Sequence, residues 1–240
     1  VSKYFRELDY QRTPLGDLTL SIRRIVALGE QEIFEIKLND EFLMSSLFFG
    51  SEVALAQLGL KACEGDELDV VVGGLGLGFT AAAALDEPRV KSLTVVEFLE
   101  PVIKWHREGL VPLGSRLSHD PRCRFEHGDF FALAKGQPLG FDPKQAGRLF
   151  HAVLLDIDHT PEHFLNASHA SLYSEAGLQQ LAAQLHEKGV FAMWSDAAPE
   201  PRFTELLRRV FPRVETHVVE FPNPIQGGES RCSVYVATKD

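Results

Sequence analysis

From Asp69 onward the chain alternates short apolar runs with amphipathic stretches, and this alternation predicts its architecture. Val70–Val72 is a run of β-branched residues, the pattern of a strand buried on both faces. Leu93–Glu97, Cys123–His127, Ala152–Asp156 and Val190–Trp194 read as further strands, and Val214–Glu220 and Arg231–Ala237 close the chain. Between them, Thr80–Leu85, Pro101–Gly109, Phe130–Lys135, Gly177–Glu187 and Arg202–Phe211 read as helices. In the fourth, Leu178, Leu181, Ala182 and Leu185 share one face at helical spacing. Pro101 suits a first helical position. Such alternation predicts an α/β fold with a doubly wound, seven-stranded, mostly parallel sheet. Phe221–Ser230 is rich in Pro and Gly and leaves no room for a helix, so the last two strands form a terminal antiparallel hairpin.

The first residues follow a different pattern. Leu18–Val26, Glu32–Leu38 and Glu41–Met44 read as short strands, with turn chemistry at Gly29-Glu30 and Asn39-Asp40. This divides the chain into a small β-hairpin region over 1–46 and an α/β domain over 47–240, the latter opening on a linking helix, Ser51–Ala62. Hairpins of this size do not stand alone, so they pack on the main domain or on a second subunit, and a homodimer is expected.

The strand Val70–Val72 runs into Gly73-Gly74-Leu75-Gly76-Leu77-Gly78, and a helix opens just beyond. Gly74, Gly76 and Gly78, at alternate positions, let backbone approach a ligand closely, and the helix start presents free N–H groups to it. Between a strand and a helix, this reads as a nucleotide-cofactor turn. Acids then fall at the carboxyl ends of strands, where α/β sheets bind ligands. Glu97 follows the glycines by about twenty residues, the spacing at which a carboxylate accepts ribose hydroxyls. Asp129, in Gly128-Asp129-Phe130-Phe131, is placed to accept an adenine amino group, with Phe130 or Phe131 flanking the ring. Asp156 and Asp158 end the fourth strand and face the reacting centre. His159 and His163 beside Asp158 give no secure metal spacing because Pro161 intervenes, so no metal is expected. Trp105 is expected in the core and His106 on the surface.

Composition narrows the partners. A chain of 240 residues with 45% hydrophobic residues can bury a sizeable core. A formal net charge of -10 argues against nucleic acid and favours a cationic small substrate. Cys63, Cys123 and Cys232 are scattered, which fits a reduced, cytoplasmic protein. No leader pattern and no membrane-length apolar run is read, and no membrane partner is expected.

Seven strands ending in an antiparallel one is the arrangement of class I S-adenosylmethionine-dependent transferases. It fits a dinucleotide dehydrogenase poorly. From about Leu38 onward the chain resembles the spermidine synthases, or polyamine aminopropyltransferases. The resemblance rests on the glycine turn, Val95-Val96-Glu97, Gly128-Asp129, the Asp156 segment, Leu172-Tyr173, and Gly189-Val190 leading to Trp194-Ser195. It implies that Glu97 binds ribose, that Asp129 binds adenine, and that Asp156 holds and deprotonates an attacking amine. Three departures stand out. Gly76 replaces an Asp that grips the donor's aminopropyl ammonium in the family. The family's Asp-Ser-Ser-Asp-Pro becomes Asp156-Ile157-Asp158-His159-Thr160-Pro161. Gly50-Ser51 replaces a Tyr-His before Glu52.

The expected activity is therefore transfer from S-adenosylmethionine or its decarboxylated form to a small cationic amine. A free backbone N–H at Gly76 would suit a cofactor carboxylate, which tilts this expectation slightly from aminopropyl to methyl transfer. A non-catalytic, cofactor-binding regulatory or scaffold protein is the alternative.

Overall fold

The structure, a computed structural model, describes residues 4–39, 41–136, 139–225 and 227–240. It begins with four antiparallel strands in the order β1-β2-β3-β4: β1 (Phe5–Thr13), β2 (Gly16–Ile25), β3 (Gln31–Leu38) and β4 (Glu41–Ser45). β1 has no counterpart in the sequence reading. Its residues are mostly exposed, as befits an edge strand with little apolar alternation to betray it. Gly29 and Glu30 both adopt left-handed backbone between β2 and β3, as their turn chemistry predicts. Asn39 is left-handed too, and its side chain accepts from Asp17 N–H and donates to the Leu15 carbonyl. Asp40 lies outside the described residues.

Helix α1 (Gly50–Lys61) links this sheet to the larger one. The strands of the larger sheet are β5 (Leu68–Gly73), β6 (Val90–Glu97), β7 (Cys123–His127), β8 (Phe150–Leu155), β9 (Leu185–Ser195), β10 (Arg213–Pro222) and β11 (Glu229–Thr238). Their spatial order is β10-β11-β9-β8-β5-β6-β7. β5 to β9 run parallel, and β11 is antiparallel to both β9 and β10. Counted from β5 the order is 6-7-5-4-1-2-3, the doubly wound sheet with a terminal hairpin that the pattern predicts. The chain leaves β5 in one direction and returns as β8 beside it, so the switch point lies at the carboxyl ends of these two strands.

The helices of this sheet are α2 (Phe79–Asp86), α3 (Glu100–Arg107), α4 (Gly114–His119), α5 (Phe130–Leu133), α6 (Glu175–Ala182) and α7 (Pro201–Val210). The helix expected over Gly177–Glu187 ends early. Leu185 is already the first residue of β9, paired with Phe150, and Lys188 then turns through a left-handed conformation. The apolar spacing that extended the helix is real, but Leu185 is buried from a strand instead. Among the described residues, no helix is long and apolar enough to cross a membrane.

One apolar core joins the two sheets: Leu18, Leu20 and Ile36 of the small sheet pack in the same cluster as Leu55, Val70, Val72 and Leu154. α1 buries Ser51, Glu52, Leu55, Ala56, Gly59 and Leu60, a face with helical spacing. Gly59 lets this face sit directly on the sheet, since a Cβ there would lie 2.7 Å from Leu154 Cδ2 and 3.0 Å from Ala192 Cβ. Glu52, on the same face near the helix start, is thereby carried to the switch point. Gly59→Val is expected to lose about 1–3 kcal/mol of stability through overpacking, measured by urea unfolding. An unchanged midpoint would contradict this close seating.

Candidate active site

The glycine turn departs from β5 with Gly74, Gly76 and Gly78 all at positive φ. Gly74 is held there by space as well as by angle, because a Cβ would lie 2.2 Å from the Asp156 carbonyl oxygen. Four amides of the turn are occupied. Gly74 N–H donates to Val96 O, Leu75 N–H to Glu97 Oε2 (2.9 Å), Leu77 N–H to Met44 Sδ (2.9 Å) and Gly78 N–H to Leu75 O. The Gly76 N–H is directed toward Glu97 and helps to hold its pKa down. The Gly76 N–H thus faces a carboxylate, which disfavours a cofactor carboxylate beside it. Its place is taken by Met44 of β4, whose sulfur lies where a Gly76 side chain would begin.

The turn is fixed from below by His106. The ring is fully buried, not exposed as the sequence suggested, and its Nε2 donates to the Gly76 carbonyl at 2.9 Å. Burial pushes the imidazole pKa down to about 4, so it is neutral at physiological pH, with the proton on Nε2 for this bond. Trp105 beside it is buried as expected, and its Nε1–H donates to Asp9 of β1. The α3 pair thus pins both the glycine turn and the small sheet.

Above the turn, a cavity of about 1240 Å³, its open mouth included, lies between the two sheets. Glu52, Glu97, Asp129 and Asp156 all line it, and among the described lining residues there is no lysine or arginine. The four acids are held in two different ways. Glu97 is buried at the end of β6, with Oε1 accepting from Leu99 N–H and Oε2 from Leu75 N–H. Burial raises its pKa, and the surrounding backbone amides oppose that rise. Asp129 caps α5 through Oδ1, which accepts from Phe131 and Ala132 N–H. Phe130 is buried under Gly73 and against Phe141, while Phe131 stacks on His169 at 3.6 Å between ring centroids. Both rings reach the cavity wall.

Glu52 and Asp156 have no such backbone cradle. Asp156 Oδ2 accepts from Thr80 Oγ1 at 2.6 Å, and Glu52 Oε2 accepts from Ser51 Oγ at 2.5 Å. Desolvation is the main cause that raises both: Glu52 to about 7, helped by the charge of Asp156, and Asp156 to about 6, moderated by Thr80. Two carboxyls that feel each other's charge with so little compensation lose their protons in steps that belong to the pair. Such a pair can hold a cation, accept its proton and share it.

Asp158 lies elsewhere. Its side chain is completely buried, outside the cavity lining, and it is saturated by Leu165 N–H (2.8 Å), His169 Nδ1 (2.8 Å) and Tyr173 Oη (2.9 Å). Instead of facing the reacting centre it ties down the segment after β8, whose Leu165, Asn166, Ser168 and His169 form one cavity wall. The alternation of the strand ends at Leu155, and the turn beyond it sends Asp158 inward. Glu52, Met44, Thr80 and His169 are the site residues that sequence reasoning did not assign. An acid in the apolar first turns of the linking helix was the available signal for Glu52; the others depend on tertiary contacts.

A carboxyl with a raised folded-state pKa contributes stability below its ordinary pKa and loses that contribution as pH rises through the folded value. For Glu52 the loss runs from about pH 4.5 through about 7. Glu52→Gln keeps an acceptor for Ser51 and removes the charge. It is expected to raise Tm at pH 8 by roughly 2–6 °C, at about 2–4 °C per kcal/mol, with a smaller gain at pH 5. A gain equal at both pH values, or larger at pH 5, would contradict the buried-charge assignment.

No protein-family model matches the chain, and no curated protein matches it in sequence. Solved structures do. A spermidine synthase in complex with the transition-state analogue AdoDATO superposes with a TM-score of 0.72 and 18% identity, over 98% of this chain and 74% of that one. The spermidine synthase from Thermotoga maritima gives a TM-score of 0.70 and 17% identity, over 98% and 73%. Nearly the whole chain, both sheets included, has the spermidine synthase fold, a class I methyltransferase-like sheet carrying a small antiparallel sheet at its N-terminal side.

Proposed function

We propose that the protein is an aminopropyltransferase that takes decarboxylated S-adenosylmethionine as donor and a small amine as acceptor. The observation that carries this reading is the set of four carboxylates facing one cavity without a lysine or arginine. S-adenosylmethionine ends in a carboxylate, which finds no lysine or arginine among the described lining residues and a Gly76 amide already turned toward Glu97. The decarboxylated form carries two positive charges and no negative one, and suits the same walls. The preference for methyl transfer drawn from Gly76 therefore gives way to aminopropyl transfer. The fold likeness to spermidine synthases supports the same choice.

In this reading Glu97 receives the ribose hydroxyls, exchanging amide contacts for them, and the second oxygen of Asp129 receives the adenine amine beside Phe131. The sulfonium of the donor makes its attached carbon electrophilic, so that a new C–N bond forms as the C–S bond breaks and a neutral thioether leaves. The protein aligns the partners and handles the proton. Asp156, oriented by Thr80, holds the acceptor amine and takes its proton, leaving the nitrogen lone pair free to attack. Glu52 supplies the second negative charge that receives the donor's ammonium. Asp158 positions the wall that carries His169 and takes no part in proton transfer. No step in this scheme calls for a metal.

Turnover is expected to rise with pH through about 6 to 7, as the pair gives up its protons. Asp156→Asn should lower kcat by about a hundredfold or more while donor affinity changes by less than about threefold, as read by mass spectrometry of the alkylated amine and by calorimetry. Retained turnover would remove Asp156 from the reaction. A wild-type protein that binds the donor but alkylates no amine would instead support the non-catalytic alternative.

A further inference from the structure

The glycine turn touches both ends of the reaction. Leu75 N–H bonds Glu97, and Gly74 stands so close to Asp156 that a Cβ there would meet its carbonyl oxygen at 2.2 Å. A donor with its ribose on Glu97 and its reacting carbon before Asp156 therefore lies along this turn, and its tail meets the turn's amides. Three of these amides are held by oxygen: Gly74 N–H by Val96 O, Leu75 N–H by Glu97 Oε2 and Gly78 N–H by Leu75 O. A fourth, Gly76 N–H, faces Glu97. Leu77 N–H differs, because its partner is the Met44 sulfur at 2.9 Å. A thioether is a weak, neutral acceptor that a carboxylate outcompetes. Leu77 N–H is thus the amide of the turn that a cofactor carboxylate could capture, and Met44 covers it. Half-buried on β4, Met44 lines the cavity with Sδ 2.6 Å and Cε 3.2 Å from where a Gly76 Cβ would stand. The amide is also held against turning away from Met44, since His106 Nε2 bonds the other end of the same peptide group, the Gly76 carbonyl, at 2.9 Å.

Resting on the transferase reading, we infer that Met44 is a specificity-determining residue for the donor: it excludes S-adenosylmethionine by covering Leu77 N–H and filling the space over Gly76. The decarboxylated form has no carboxylate to place there and loses nothing by the cover. Exclusion then works through one side chain of the small sheet, in addition to the acidic charge of the walls, and shortening that side chain exposes an amide suited to a carboxylate.

The test titrates S-adenosylmethionine and its decarboxylated form calorimetrically into the full chain, as wild type, Met44→Ala and Met44→Leu. The quantity read is the ratio of the two affinities, which a merely structural loss would leave unmoved because it weakens both ligands alike. Met44→Ala is expected to narrow the wild-type preference for the decarboxylated form by about tenfold or more, the gain of a charged hydrogen bond at the exposed amide. Met44→Leu refills the space and should keep the preference. An unchanged ratio in Met44→Ala, an equal narrowing in Met44→Leu, or equal binding of both forms by the wild type would overturn the inference. An unchanged ratio in a wild type and variants that all alkylate an amine with the decarboxylated donor overturns it and leaves the transferase reading standing. The predicted narrowing without alkylation of any amine upholds the inference about Met44 and overturns the transferase reading, so the two fail separately. If Met44→Ala does not fold, Met44→Val, which suits a strand and is too short to reach Leu77 N–H, carries the same expectation.

Discussion

Four carboxylates converge on one cavity that no lysine or arginine lines among the described residues, and the organisation of the site follows from how the fold bears that charge. Burying an acid without a cation is costly unless hydrogen bonds replace water. Glu97 and Asp129 are supplied with backbone amides, from the glycine turn and from the start of α5. Glu52 and Asp156 each accept from a hydroxyl, Ser51 and Thr80, and lack the paired backbone amides that hold the other two. The division separates acids held by backbone amides from a pair whose pKa values burial raises to about 7 and about 6. It also means that the molecule keeps two weakly compensated buried acids within each other's field, of the kind that concentrates at functional sites.

That arrangement needs both sheets. The larger one contributes the strand ends that carry Glu97 and Asp156, and the smaller one closes the cavity and supplies Met44 against the glycine turn. Three contacts fix their relation: Trp105 to Asp9, Met44 to Leu77 N–H, and the seating of α1 through Gly59. His106 completes the frame by bonding the turn from the core side as a neutral donor. The turn is thus rigid before any ligand arrives, and the ligand meets side chains more than free backbone.

Much of this was legible in the sequence, and the remainder was illegible for definite reasons. β-branched runs bounded by acids located the strands of the larger sheet and its switch point, because a strand buried on both faces leaves an unambiguous apolar signature. β1 was invisible since an exposed edge strand has no such signature. Leu185 misled because a residue at helical spacing can be buried equally well by the strand that follows. At the site, Asp156 stood out as an acid ending an apolar strand, and the structure brings it to the cavity with Glu97, Asp129 and Phe130. Asp158 shared that position in sequence but turns inward to three donors. Gly76 illustrates the limit most clearly: its own sequence context suggested a free amide, and only the structure shows that this amide faces Glu97 and that Met44, remote in sequence, packs against the glycine.

The account turns on the sign of charge that the cavity accepts. Calorimetric titration of the protein at pH 8, with S-adenosylmethionine and separately with its decarboxylated form, reads that sign directly. The account predicts tighter binding of the decarboxylated form by about tenfold or more, equivalent to about 1.4 kcal/mol. Equal affinity, or tighter binding of S-adenosylmethionine, would contradict it.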